Sequence, residues 1–221
     1  MIARLRDDLH FCVCSGRTVF LDVRADRYFQ LPTDQDLAFQ RFASGRTAQL
    51  GDEAALSAIA MRGLVVDACL GTPVLSPAIV SPPMAEIAPA PSMAKITDRI
   101  AALISVHKAR FELGRRSLKN VMDLMSRSSA ALVAEGADDP TAVDRVAAAF
   151  AATGVMIRRQ DQCLPLSIAF KRLCLTRRAR TTLVIGVKLD PFVAHCWIQR
   201  DEYVVNDTLE RVRLFKPILA I

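Results

Sequence analysis

Residues 10–13, 19–23 and 28–31, mostly apolar and bounded by turn residues, read as three short strands, with alternation along 19–23. Ser15-Gly16 and Ala25-Asp26 supply the turns between them, and Pro32 ends the run. Thr33 is placed to cap a helix over 34–42, with Asp36 at the capping-box position and Ser44-Gly45 as the break. A second helix over 52–61 stops before Gly63, and residues 64–66 close the module. Prolines at 73, 77, 82, 83, 89 and 91 exclude a regular helix or a central strand from 71–93. That stretch reads as a semi-extended linker between two domains, 1–70 and 94–221. Beyond it the period lengthens. Ile96, Ile100, Leu103, Ile104, His107 and Phe111 fall on one face of a helix running over about 94–125, the stripe by which such a helix meets a core. Asp139-Pro140 starts another helix that runs to about 152. A polar stretch at 158–162 precedes an apolar helix over 163–175, and strands follow at 181–188, 192–199 and 203–206. Helices followed by an antiparallel sheet make the fold class α+β.

Composition narrows this picture without changing it. A chain of 221 residues, 52% hydrophobic and 24% charged, is globular rather than disordered. It accommodates one large domain or two small ones. The first residues, MIARLRDDLHFCV, lack the basic and apolar regions of a secretory signal, and no apolar run is long enough to span a bilayer. A cytoplasmic protein with no membrane span is expected. Cysteines at 12, 14, 69, 163, 174 and 196 form no C-x-x-C pair, and in a reducing compartment disulfides are not expected. The net charge is +6, yet residues 1–70 hold 8 Arg and 9 acidic residues. The basic excess therefore lies in the second half.

Catalysis by a thiol needs a nucleophile, an imidazole that takes and returns its proton, and a group that orients the imidazole. Cys163 begins a predicted helix, where free backbone N–H groups favour a thiolate and can hold an oxyanion. His195 lies on the following sheet. If Gln199 and Tyr203 form the last pair before a three-residue loop, His195 stands directly opposite Asp207. A two-residue loop would shift the register by one and put the two on opposite faces.

The segment QCLPLSIAFKRLC, with TTLVIGVKLDPFVAHCWIQRDEYVVND, resembles the transglutaminase-like peptidase of lasso-peptide biosynthesis, the B protein. The shared features are Cys163 at a helix start, VIGV at 184–187, Ala194-His195-x-Trp197, and the late Asp207. The resemblance implies a transglutaminase/papain-like cysteine peptidase domain, with Cys163 as nucleophile, His195 as base and Asp207 as orienting acid. VFLDVRADRYFQLP at 19–32, with two helices and GLVV after it, resembles the winged-helix-like element by which peptide-modifying enzymes capture a leader as an added strand. Its acceptor would be Arg27, Tyr28, Phe29, Gln30 and Leu31, with a groove completed near Leu56 and Met61. Leader removal from a ribosomally made precursor is the activity so implied. The partners are the precursor leader and an asparagine-synthetase-like cyclase. No bound cofactor is expected, any ATP dependence passing through that cyclase.

Other readings stay open. Trp197 shares the His195 face and either walls the peptide cleft or sits in the core. Gln160 or Gln162 either donates to an oxyanion or belongs to a solvated loop. Cys174 and Cys196 read as core. His10, Cys12 and Cys14 alternate along one strand and cannot converge on zinc. The second domain could instead be a non-catalytic peptide-binding scaffold, or a transglutaminase that forms isopeptide bonds. The first module could be a DNA-binding winged helix, although its net charge of −1 disfavours phosphate contacts.

Overall fold

The computed structural model describes residues 3–67, 77–154 and 162–221. Cys69 and Gln160 lie outside the described residues. The first module comprises β1 (Ala3–Leu5), β2 (Leu9–Cys14), β3 (Arg17–Asp22), β4 (Arg27–Phe29), α1 (Thr33–Ala43), α2 (Asp52–Met61) and β5 (Val65–Asp67). Strands β2, β3 and β4 form an antiparallel sheet, and β1 pairs with β5. The β2–β3 register runs from Leu9 opposite Asp22 to Cys14 opposite Arg17. Its two-residue turn, Ser15-Gly16, has φ of 49° and 75°, the left-handed pair that matches strand twist. Strand β4 pairs only with β3, so its far edge carries no strand among the described residues.

Alternation along these strands serves two cores. Leu9, Phe11, Phe20 and Leu31 face Phe39 of α1 and Ile59 of α2. Phe20 stacks on Phe29 at 5.1 Å, with Phe39 edge-on to Phe20 at 5.0 Å. Burial of each such ring contributes roughly 2–3 kcal/mol. Cys12, Val19, Leu21 and Val23, on the other face, enter the large core of the second half. The sheet is thus buried on both sides.

Helix α1 starts differently from expectation. Thr33 is already helical and Pro32 takes the cap position, with no side-chain cap bond. Asp36 turns inward instead and accepts from the Thr18 N–H and, at 2.8 Å, from Arg17 Nε, tying the helix to β3. A carboxylate that is buried must find donors, and these two satisfy it.

The second half contains β6 (Ala85–Glu86), α3 (Ile96–Leu113), α4 (Leu118–Ala134), α5 (Pro140–Ala152), α6 (Cys163–Thr176), β7 (Thr182–Lys188), β8 (Val193–Arg200), β9 (Tyr203–Val204), α7 (Leu209–Val212) and β10 (Lys216–Ala220). Its sheet runs β10-β7-β8-β9-β6, with β6 parallel to β9 and the other neighbours antiparallel. The α+β class holds. The proline-rich stretch does more than link: its β6 adds an edge strand, where missing N–H groups cost least, and Val80 packs under the sheet.

Two expectations about the helices fail. The predicted long helix is two, broken at Gly114, and Ser117 caps the second by accepting from the Asn120 N–H. The stripe on α3 also faces the wrong way. Ile96, Ile100, Leu103, Ile104 and Phe111 are all about half exposed or more, while Ala102, Ser105, Val106 and Ala109 are buried. Small residues let α3 lie close against α6, and Ser105 Oγ donates to the Ala169 carbonyl at 3.0 Å. Close helix contact at small side chains outweighs the larger area on the opposite face.

Candidate active site

Helix α6 is buried nearly all round, from Leu166 to Cys174, and is sandwiched between α3 and β8. Cys163 is its first residue and Gln162 its N-cap. Pro165 is tolerated in this first turn, where a backbone N–H would lack a helical partner. The thiol therefore sits at the positive end of a fourteen-residue helix.

Strand β8 brings His195 to the thiol. Side chains of Cys196 and Ile198 enter the core under α6, whereas Trp197 joins Val184, Val204, Val212 and Phe215 on the opposite face. His195 shares that second face: its ring lies 6.2 Å from Trp197 and 5.0 Å from Phe215. Gly186 stands opposite His195 on β7. A Cβ there would come within 2.8 Å of the Trp197 ring and 2.9 Å of Phe215, so only glycine leaves room for this stack.

The hairpin that carries Asp207 departs from the expected register. Arg200 pairs with Tyr203 and Gln199 with Val204, so the loop has two residues, Asp201 and Glu202. Continued as a ladder, that register would place Asp207 on the face away from His195. The ladder makes one more backbone bond, from the Val205 N–H to the Ile198 carbonyl at 2.9 Å, and stops. Strand β9 ends at Val204, and the Asn206 side chain takes the place of a backbone acceptor, receiving the Ile198 N–H at 2.6 Å. The chain curls there and brings Asp207 Oδ2 to 2.5 Å from His195 Nε2. The edge of β8 beside His195 is left without a strand, and Cys163 reaches it from the helix side.

The electrostatics follow from this geometry. Burial alone would raise the Cys163 thiol, but hydrogen bonds with His195 and with the N–H groups of Cys196 and Leu164 pull it below its ordinary value. Burial would lower His195, which is 4% exposed, yet its bonds to Asp207 and Cys163 raise it. Burial would likewise raise Asp207, but His195 and the Thr208 N–H hold its carboxyl down. With Nε2 held by Asp207, Nδ1 is the ring nitrogen left for the thiol. By contrast, burial pushes Cys12 and Cys174 up to about 12, and Cys196 higher still. One described cysteine is tuned to be a thiolate. Among the described residues no His, Cys, Asp and Glu group could hold a metal ion.

The other candidate residues divide. Gln162 Oε1 accepts from Arg110 of α3. Trp197 is 1% exposed, so it supports the His195 ring from below and cannot touch a peptide. Leu31 is also buried, in the small core with Phe20 and Phe39, because the chain turns inward there to begin α1. Arg27, Tyr28, Phe29 and Gln30 remain at the open β4 edge, where Arg27 lies 5.6 Å from the Phe29 ring centroid. Leu56 is half-buried and Met61 exposed on α2. Tyr28 connects the two regions: its ring lies 5.3 Å from Phe192 in the β7–β8 turn. Its hydroxyl is pushed up chiefly by burial, with the Asp26 carboxylate adding to it. Gly186 was missed from sequence although a glycine inside a strand signals close approach, and Phe215 carried no signal.

Residues 87–220 match the family described as the Transglutaminase-like superfamily. A stretch of 48 residues is 40% identical to the Microcin J25-processing protein McjB of Escherichia coli. That match covers 22% of this chain and 23% of that protein. No solved structure matches the chain. No helix among the described residues is long and apolar enough to cross a membrane.

Proposed function

The chain belongs to the transglutaminase-like superfamily, and from that premise we propose that it is a cytoplasmic cysteine endopeptidase that removes the leader from a ribosomally made lasso-peptide precursor. The observation that carries the reading is Cys163, at a helix N-terminus with its thiol pulled down, beside a His195 held by Asp207. The match to a protein named for processing microcin J25 supports the substrate class. The winged-helix-like first module would grip the leader along the free edge of β4, at Arg27, Tyr28, Phe29 and Gln30, in a groove completed near Leu56 and Met61 of α2.

In this reading the Cys163 thiolate adds to the scissile carbonyl, and the N–H groups of the first turn of α6 stabilise the oxyanion. His195 protonates the departing amine, leaving a thioester on Cys163 and a new core N-terminus. It then takes a proton from water, whose hydroxyl displaces the thiolate and frees the leader as an acid. Asp207 keeps the ring oriented and stabilises the imidazolium. The chemistry draws only on these side chains. The core passes to an asparagine-synthetase-like cyclase, to which any ATP requirement belongs.

Incubation of precursor with wild type and with Cys163→Ala, followed by mass spectrometry, tests this. A leader fragment that gains one water and forms only with wild type is expected. A peptide cross-linked with loss of ammonia would replace hydrolysis by isopeptide formation. Absence of cleavage by either protein, with cyclase and ATP present, would leave peptide binding alone.

A further inference from the structure

The three reacting side chains come from elements that no continuous ladder or helix holds together. Cys163 opens α6, His195 lies on β8, and Asp207 follows the end of β9. One small polar cluster touches all three. Ser167, one helical turn after Cys163, is fully buried and donates from Oγ to the Cys196 carbonyl at 3.1 Å. Asn206 Nδ2 donates to the same Oγ at 3.0 Å, and its Oδ1 accepts the Ile198 N–H at 2.6 Å. Helix α6 therefore grips the backbone of Cys196 through Ser167, one turn below the thiol. Asn206 fastens the segment carrying Asp207 to that grip.

We propose that Ser167 and Asn206 are positioning residues that set the spacing of Cys163, His195 and Asp207. The proposal rests on the peptidase reading for its kinetic arm only. Each residue is tied on two sides: the serine donates to the Cys196 carbonyl and accepts from Asn206, whose amide also accepts the Ile198 N–H. Linked in this way the cluster favours one geometry, and a cluster missing one member allows several. Ser167, fully buried, has no surface to offer a substrate. Loss of either one therefore changes how often the three groups are aligned and leaves peptide capture at β4 unchanged.

Ser167→Ala, Asn206→Ala and Ser167→Thr would be compared with wild type in two ways. The first is the pH dependence of iodoacetamide alkylation, read by mass spectrometry on the peptide that contains Cys163. This needs no substrate. In wild type the alkylation limb should lie below that of an ordinary thiol. In both alanine variants it should move up toward the ordinary value, and Ser167→Thr, which keeps the hydroxyl, should restore it. The second is precursor cleavage, where the alanine variants should lose about 10- to 100-fold in kcat with KM within about threefold. Limbs that coincide with wild type in both alanine variants would overturn the proposal, as would a Ser167→Thr variant, folded by thermal melt, that behaves like alanine. A limb that shifts in a protein that never cleaves precursor would retain the positioning role and sink the peptidase reading.

Discussion

The seam around Cys163 and the edge of β4 are built on opposite principles. At the seam polar groups hold one another: the imidazole is held by Asp207, the Cys196 carbonyl by Ser167, the Ile198 N–H by Asn206. At β4 one whole side of the strand has none, and the side chains along it are exposed or half-buried. A reaction needs atoms fixed before the substrate arrives, because alignment errors of about 1 Å cost about a hundredfold in rate. A strand acceptor needs the reverse, since its affinity comes from backbone groups that have yet to pair. Changes at the seam should therefore act on kcat, and changes at the edge on KM.

The largest expected effect breaks the seam. Asp207→Ala should lower kcat by about 10³- to 10⁴-fold while leader affinity, measured by fluorescence anisotropy, stays within about twofold. It should also shift the pH profile. His195 is raised mainly against burial by Asp207, so without the carboxylate the imidazolium that pairs with the thiolate is lost at lower pH. The alkaline limb of kcat should move down. An unchanged limb would mean that Asp207 does not face the working imidazole.

Gly186→Ala comes next. The added methyl must displace the Trp197 ring or Phe215, both under 3.0 Å away, and His195 rests on both rings. Overpacking of this kind costs about 1–3 kcal/mol, or a melting temperature about 3–10 °C lower in a chain of this size. Because the strain sits under the base, kcat should fall as well. A variant that melts lower but turns over normally would show that the ring stack supports the fold and not the histidine.

The edge can be tested through the ligand. Backbone N-methylation scanned along the leader should weaken binding about tenfold at every second position, since only alternate N–H groups of an added strand point at β4. The kcat for any peptide still cleaved should hold. A uniform loss, or none, would count against strand addition.

Legibility in the sequence follows the same division. That Cys163, His195 and Asp207 come together is readable because their types have few other uses together, and because a helix start and a strand are local patterns. The register is not. Gln199, Arg200, Tyr203 and Val204 fix a two-residue loop, which by pairing alone would separate His195 from Asp207. Asn206 reverses that outcome with its side chain, which no alternation rule contains. The α3 face failed for a related reason. Hydrophobicity pointed to Ile100, Leu103 and Phe111, whereas packing selected Ala102, Ser105 and Ala109, whose value lies in how closely α6 can approach. The β4 edge was read from a resemblance, and the sequence overextended it by including Leu31, which is core.

The smallest effect concerns a buried charge that belongs to neither region. Lys171 lies on α6 two turns beyond Cys163, is 1% exposed, and donates through Nζ to the Thr181 carbonyl. Burial lowers it from 10.5 to about 8, and that difference corresponds to about 3 kcal/mol of destabilisation wherever the lysine is charged in both states. Lys171→Met removes this cost and leaves the Thr181 carbonyl unpaired, a loss of about 2 kcal/mol. The net gain near neutral pH should be about 1 kcal/mol by urea denaturation, with kcat and leader affinity unchanged. The sign then depends on pH. The unfolded lysine still binds its proton between about 8 and 10.5 while the folded one has lost it, so wild type gains stability as pH rises through that window. The advantage of methionine should shrink above pH 8 and reverse before 10.5. A difference that is flat with pH would mean that Lys171 is not desolvated, and a kcat that falls with the substitution would place it in the machinery of the seam.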